Sequence, residues 1–258
     1  MKTLRSYISG QWHQAEDGFA TLFDPSTEEP VARASSVGVD FGAALAWARE
    51  QGGPALRALT FAQRGELLKA ISGVLRQGRD ELLELSRINN GTTKRDGNFD
   101  IGGGSGTLAY YAGVARKLGD RSVLLDGEGV QLTRDESFWG QHVLVPRRGV
   151  AVFINAFNFP AWGFAEKAAC ALAAGMPMIV KPATATALVA ERAVEMVIES
   201  GVLPPGALQM ICGRTGDLLD RLGPQDVLAF TGSAETARIF RTHPHLVDVN
   251  VRLNVEAD

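Results

Sequence analysis

Five short apolar runs in the carboxyl-terminal half of the 258-residue sequence each end in polar residues. Asn155-Ala156-Phe157-Asn158-Phe159-Pro160 follows the run at 150–154, and Lys181-Pro182-Ala183-Thr184 follows the run at 178–180. Cys212-Gly213-Arg214 follows 208–211, Thr231-Gly232-Ser233 follows 227–230, and Glu256 closes the last run, at about 250–255. Open parallel sheets bind ligands just past the carboxyl ends of their strands. An amide, a lysine, a glycine-flanked hydroxyl and a carboxylate gathered there suit a phosphate-bearing ligand or an acyl reaction. Thr231-Gly232-Ser233 precedes a helical segment, so backbone N–H groups and the helix dipole can meet a phosphate. Ser233 would equally serve as a plain N-cap. Taken singly, Lys181 reads as a surface lysine, Asn158 as a turn residue and Glu256 as an ordinary strand acid.

Other constellations carry less. Gly102-Gly103-Gly104-Ser105-Gly106 contains Gly-x-Gly-x-Gly, yet no strand precedes it, and a dinucleotide fingerprint requires one. Cys170 falls in a helical segment and Cys212 at a strand end, neither beside a histidine in sequence; both read as structural thiols. His243-Pro244-His245 offers two imidazoles without a third ligand, so a loop is expected there and no metal site. Thr231-Gly232-Ser233-Ala234-Glu235 departs from Gly-x-Ser-x-Gly, which removes a serine hydrolase.

The elements that must position these residues follow from the pattern around them. Uninterrupted apolar strands suit a parallel sheet covered on both faces. Segments at about 162–174, 187–200, 214–222 and 234–242 are long enough for crossover helices. The fold class is therefore α/β: a doubly wound, five-stranded parallel sheet over 149–258, resembling a Rossmann nucleotide-binding core. Residues 1–122 add a β meander and a helical layer. In that layer Asp40 caps a helix stopped by Gly52-Gly53-Pro54, Thr60 opens another, and a last one covers about 106–118. Residues 123–148 read as a protruding β-hairpin turning at Asp126-Gly127-Glu128-Gly129.

Composition removes whole classes. With 26 Lys and Arg against 29 Asp and Glu there is no basic excess for nucleic acid. No run approaches the roughly 20 apolar residues of a membrane span. Two cysteines are no disulfide framework. The opening residues lack an apolar leader core, so a cytoplasmic protein is expected.

Together the motifs Asn155-Ala156-Phe157-Asn158-Phe159-Pro160, Lys181-Pro182-Ala183-Thr184, Phe230-Thr231-Gly232-Ser233 and Glu256 resemble the aldehyde dehydrogenase superfamily, in its amino-terminal half. Their order, and the interval of 23 residues from Ser233 to Glu256, carry the likeness across essentially the whole chain. Ala55-Leu56-Arg57-Ala58-Leu59-Thr60-Phe61 and Asn254-Val255-Glu256-Ala257-Asp258 narrow it to the branch that oxidises CoA-thioester semialdehydes in aerobic aromatic degradation. The resemblance implies Asn158 as the oxyanion donor and Glu256 as a general base, a role that asks for partial burial. It implies a dinucleotide held by Asn155, Ala156, Phe157, Lys181, Thr184, Gly213, Arg214, Gly232 and Ser233. The resemblance also bears on the cofactor, because many relatives that use NAD carry a carboxylate where this chain has Thr184. Without that charge, and with Lys181 beside it, NADP is the expected cofactor and NAD the weaker one. The implied partners are a CoA-linked semialdehyde and further copies of the chain, associated through the hairpin. The family's nucleophilic cysteine lies some tens of residues beyond Glu256, so the likeness implies a nucleotide-binding half without a catalytic domain, inactive alone. The alternative is a non-catalytic dinucleotide-binding module or one half of a split dehydrogenase.

Overall fold

A computed structural model describes residues 1–258. Five strands come first: β1 (Lys2–Thr3), β2 (Ser6–Ile8), β3 (Gln11–His13), β4 (Ala20–Phe23) and β5 (Pro30–Ala34). The helices α1 (Phe41–Trp47), α2 (Gly53–Arg57), α3 (Phe61–Gln77), α4 (Arg79–Asn90) and α5 (Lys94–Leu118) follow. A two-stranded sheet of β6 (Leu124–Gln131) and β7 (Trp139–Leu144) separates them from the α/β core. The core runs β8 (Ala151–Ile154), α6 (Pro160–Ala173), β9 (Met178–Lys181), α7 (Ala187–Glu199), β10 (Leu208–Met210), β11 (Val227–Gly232), α8 (Ala234–Arg241), α9 (Pro244–Asp248) and β12 (Arg252–Ala257).

The central sheet has the order β12-β11-β8-β9-β10-β2-β3. Its first five strands are parallel, as the apolar runs require, and β2 and β3 are antiparallel additions. The expected hairpin at Ser9-Gly10 thus covers the β10 edge of the main sheet, while β1, β5 and β4 form a sheet of their own.

Side chains alternate across the strands, so each one feeds two cores. Ala151, Phe153, Met178, Val180, Met210 and Ala229 pack toward α3, α5, α6 and α7. Val152, Ile154, Ile179, Ile211, Leu228 and Phe230 pack with Phe41, Leu45, Leu218 and Phe240 on the opposite face. No helix is long and apolar enough to cross a membrane.

Several boundaries differ from those the sequence predicts. The helix from Phe41 does not stop at Gly52-Gly53-Pro54. It passes through a π-helical turn, Ala48–Gly52, and Pro54 sits in the first turn of α2, where its missing N–H costs nothing. Thr60 does open α3, with a capping box to Gln63. The glycine run lies inside α5, and two of its glycines let α6 approach: a Cβ on Gly103 would stand 2.4 Å from the Trp162 ring and one on Gly104 3.1 Å from Ala165 Cβ. Gly127 and Gly129 make no turn; β6 runs through them with a register shift between Asp126 and Val130. The segment 214–222 yields only a 3-10 turn, Leu218–Arg221, and His243-Pro244-His245 opens α9 instead of forming a loop.

Candidate active site

The loop after β8 is fixed at each end by elements outside the sheet. The Phe157 carbonyl accepts from Thr186 Oγ1 at 2.9 Å and from Asn90 Nδ2, at the end of α4, at 3.1 Å. On the other side α6 begins at Pro160, and its N-cap residue Phe159 supplies no side-chain bond. Asp100 of α5 does that work, accepting from the backbone N–H of Ala161 at 3.2 Å and of Trp162 at 2.7 Å. Burial pushes the Asp100 carboxyl up to about 6 despite those two donors, which favour the ionised form. Asn158, between the two anchors, is exposed, and its side-chain amide makes no hydrogen bond within the chain.

Around this loop the predicted residues converge. A cleft of about 900 Å³ is lined by the 155–158 loop, Lys181, Gly232, Ser233 and Glu256. Lys181 ends β9, where burial lowers its pKa and Nζ donates only to the Pro182 carbonyl at 3.1 Å. Ser233 is the N-cap of α8, accepting from Thr236 N–H at 3.3 Å, so the capping role and the cleft position coincide. Glu256 lies within β12, in register with Thr231, whose Oγ1 donates to its Oε2 at 3.3 Å. Leu253 and Val255 turn to the apolar core, while Arg252, Asn254 and Glu256 form an exposed polar row on the other face. Glu256 is therefore exposed rather than partly buried, contrary to expectation.

Three of the predicted cofactor residues lie beside the cleft and do not line it. Thr184 Oγ1 donates to the Gly213 carbonyl at 3.3 Å. Gly213 has φ +130, and a Cβ there would stand 2.4 Å from Ser36 N, so it is a glycine for packing reasons. The Arg214 carbonyl accepts from Ser36 Oγ at 2.8 Å, and its side chain is exposed.

A second cavity, of about 250 Å³, opens on the α6 side of the loop and is lined by Asn155, Asn158, Gly163, Glu166, Lys167 and Glu256. Lys167 donates to Glu166 at 2.6 Å. Neither thiol belongs to it. Cys212 is fully buried, and burial raises its pKa far out of the reactive range. Cys170 is exposed on α6, about 15 Å along the helix from Pro160 at 1.5 Å per residue, too far to share a carbonyl with Asn158. No group of three or more His, Cys, Asp or Glu side chains is placed to hold a metal.

Asp100, Asn90, Thr186, Glu166 and Lys167 were not among the expected residues. The one available signal was an acid, Asp100, between Phe99 and Ile101 on a helix whose other buried positions are apolar or small.

A parallel α/β sheet thus brings an amide, a carboxylate, a half-buried lysine and a capped helix to one cleft. The chain belongs to the aldehyde dehydrogenase family, whose description matches residues 12–253. It is 49% identical over 255 residues to a 3,4-dehydroadipyl-CoA semialdehyde dehydrogenase of Aromatoleum evansii, covering 99% of this chain and 50% of that protein. Against aldehyde dehydrogenase 1A1 of Equus caballus the identity is 30%, over 91% of this chain and 46% of that protein. The chain thus spans about half the length of the curated relatives it matches. Its fold matches a betaine aldehyde dehydrogenase from Staphylococcus aureus, a point mutant in complex with NAD+, with a TM-score of 0.84 and 23% identity over 98% of this chain and 50% of that one.

Proposed function

We propose that this chain supplies the dinucleotide site, the oxyanion donor and the general base for NADP-dependent oxidation of a CoA-linked aliphatic semialdehyde to the carboxylic acid. One observation carries the reading: Asn158, Lys181, Ser233 and Glu256, drawn from four separate strand ends, surround a single cleft. The named activity of the relative at 49% identity supports the substrate class.

The residues present fit a phosphorylated dinucleotide. The N–H groups at the start of α8, an eight-residue helix, face the cleft beside Ser233 and would take the pyrophosphate. Lys181 holds a desolvated ammonium with a single backbone partner, which an anionic 2′-phosphate would satisfy. Thr184 places no carboxylate against that phosphate. When bound, the nicotinamide would accept a hydride from the substrate carbon. Asn158 would donate its free amide N–H to the developing oxyanion, a contact typically worth about 2.7–4 kcal/mol. Glu256 would take a proton from water, and the Thr231 hydroxyl fixes which of its oxygens is engaged.

By this reading residues 1–122 and 149–258 build the nucleotide domain, and 123–148 is an association element. Leu125, Val130, Phe138, Trp139 and Val145 are all more than half exposed on or beside that hairpin, a cluster that a second copy would cover. A second reading, a nucleotide-binding module that turns nothing over by itself, is favoured by the positions of Cys170 and Cys212.

Titrating NADPH and NADH into the chain, followed by nucleotide fluorescence, tests the proposal. NADPH is expected to bind roughly tenfold or more tighter, the equivalent of one hydrogen bond to a charged group. Equal affinities would overturn the cofactor assignment, and no binding of either would overturn the function.

A further inference from the structure

The amino ends of β8, β11 and β12 lie at the opposite end of the parallel sheet from the cleft, and arginines gather there without acids to match. Arg147 and Arg148 precede β8, Arg252 opens β12, and Arg57 ends α2. Arg252 is in register with Val227 and Val227 with Ala151, so the three strand starts are adjacent. None of the four guanidiniums forms an ion pair. The acid of this end, Asp226, is buried and already engaged: it accepts from the backbone N–H of Val150 and of Gly223, each at 2.7 Å, and pairs with Arg49. Arg147 donates to the Pro224 and Gln225 carbonyls at 2.7 and 3.1 Å, which holds its guanidinium in place and leaves its charge unmatched.

Arg57 is the unusual member. It follows Arg49 by eight residues, about two turns through the π-helical turn and α2, so it continues the face that Arg49 turns toward Asp226 and the 148–150 backbone. Its guanidinium folds back along α2: a Cβ on Gly53 would stand 2.6 Å from Nη1 and 3.3 Å from Nη2. Nη1 is closed off from solvent without a hydrogen-bond partner, and the rest of the group donates to nothing within the chain. Burial first, and the charge of Arg148 second, lower its pKa from the usual arginine value. Arg148 is itself exposed, on a bend, and makes no side-chain bond.

Two guanidiniums facing one another in a partly desolvated place repel, and their donors go unmet. An anion between them removes both penalties. The planar fork of arginine fits carboxylate and phosphate alike, but a phosphoryl group has oxygens enough for two forks at once, whereas a carboxylate has two in all. Beside the pair, a cavity of about 740 Å³ is lined at this end by Arg147 and Arg252 with Ala151, Met176 and Val227. A phosphate ester would thus find an apolar wall for its organic part. We propose that Arg57 and Arg148 form a phosphate-binding site at the amino end of the sheet, with Arg147 and Arg252 adding to its positive field. The six residues of β11, at about 3.3 Å each, put it roughly 17 Å from the end that holds Lys181 and Ser233.

Sodium phosphate added to the whole chain, against sodium chloride at matched ionic strength, tests the site. In proton–nitrogen spectra of the arginine Nε–H groups, saturable movement of the Arg57 and Arg148 signals is expected with phosphate alone. Movement that follows ionic strength, or never saturates, means an adventitious ion only and overturns the proposal. Thermal unfolding gives the second readout. Phosphate stabilises folded proteins in general by exclusion from their surface, so the measure is the difference between the unmodified chain and Arg148→Gln, an exposed position. Apparent phosphate affinity is expected to fall at least tenfold in Arg148→Gln, the equivalent of one hydrogen bond to a charged group. Equal affinity overturns the site. Phenyl phosphate distinguishes the two sources of the same chemistry. Tighter binding than inorganic phosphate identifies an ester seated on the apolar wall, and equal or weaker binding identifies free phosphate. In a folded Lys181→Met variant the response at Arg57 is expected to persist. Its loss would place the anion in the dinucleotide cleft and overturn the assignment, whereas a chain that binds no nucleotide leaves this site untouched.

Discussion

Asp100→Asn isolates the cost of holding a charge beneath the loop that follows β8. Asp100 is 2% exposed, and burial moves its carboxyl from 3.8 to about 6. A carboxyl whose pKa is raised on folding binds more protons in the native than in the unfolded state between those values. Stability from this group is therefore greatest at low pH and falls as pH rises through the window. The whole interval, at 1.36 kcal/mol per pH unit, amounts to about 3 kcal/mol, of which about 2 kcal/mol accrues between pH 4.5 and 7.5. Asn cannot ionise, so this slope vanishes. Its Oδ1 can still accept from Trp162 N–H, while its Nδ2 opposes Ala161 N–H, a pH-independent loss of about 1–3 kcal/mol. Urea unfolding of both proteins from pH 4.5 to 7.5 is the assay. The stability of Asp100→Asn relative to the unmodified chain is expected to rise by about 2 kcal/mol across that range. A difference that is flat with pH, or that falls as pH rises, would refute the assignment of a raised pKa to this carboxyl.

Thr184→Glu introduces a carboxylate next to the proposed dinucleotide cleft, and NADPH affinity is expected to drop at least tenfold relative to NADH in the same fluorescence titration. Gly103→Ala and Gly102→Ala separate packing from helix propensity on one turn of α5. A Cβ at Gly103 meets the Trp162 ring at 2.4 Å, whereas nothing lies within 4 Å of one at Gly102. Chemical denaturation should show Gly103→Ala losing about 1–3 kcal/mol by overpacking and Gly102→Ala gaining up to about 1 kcal/mol. Thr60→Ala removes the capping box of α3 and should cost about 1 kcal/mol by the same measurement.

The parallel core was legible because strands buried on both faces read as unbroken apolar runs, and because the strand ends collect polar residues that neither core can accept. Lys181, Ser233 and Glu256 announce themselves in that way. Glycine misled three times. At Gly52-Gly53 the chain stays helical, at Gly103 the missing side chain makes room for an indole, and at Gly127 and Gly129 a strand continues through a bulge. At Gly52 and Gly103 the reason is a neighbour distant in sequence, the Gly206 backbone and the Trp162 ring. The same holds for the site. Asp100, Asn90 and Thr186 act on a loop more than 25 residues away in sequence, and no periodicity encodes that. Thr184 and Arg214 were placed by motif order, which locates a strand end but not the direction of a side chain.

The paired bonds onto the Phe157 carbonyl bear on what happens when a ligand arrives. Because α4 and the Thr186 hydroxyl already immobilise that peptide, the backbone that carries Asn158 is fixed before anything enters the cleft, and less backbone ordering entropy remains to be lost on association. Damage to Asn90 should then register as slower and looser engagement of ligand in a chain that melts almost normally, a signature easily mistaken for a defect in the ligand's own contacts.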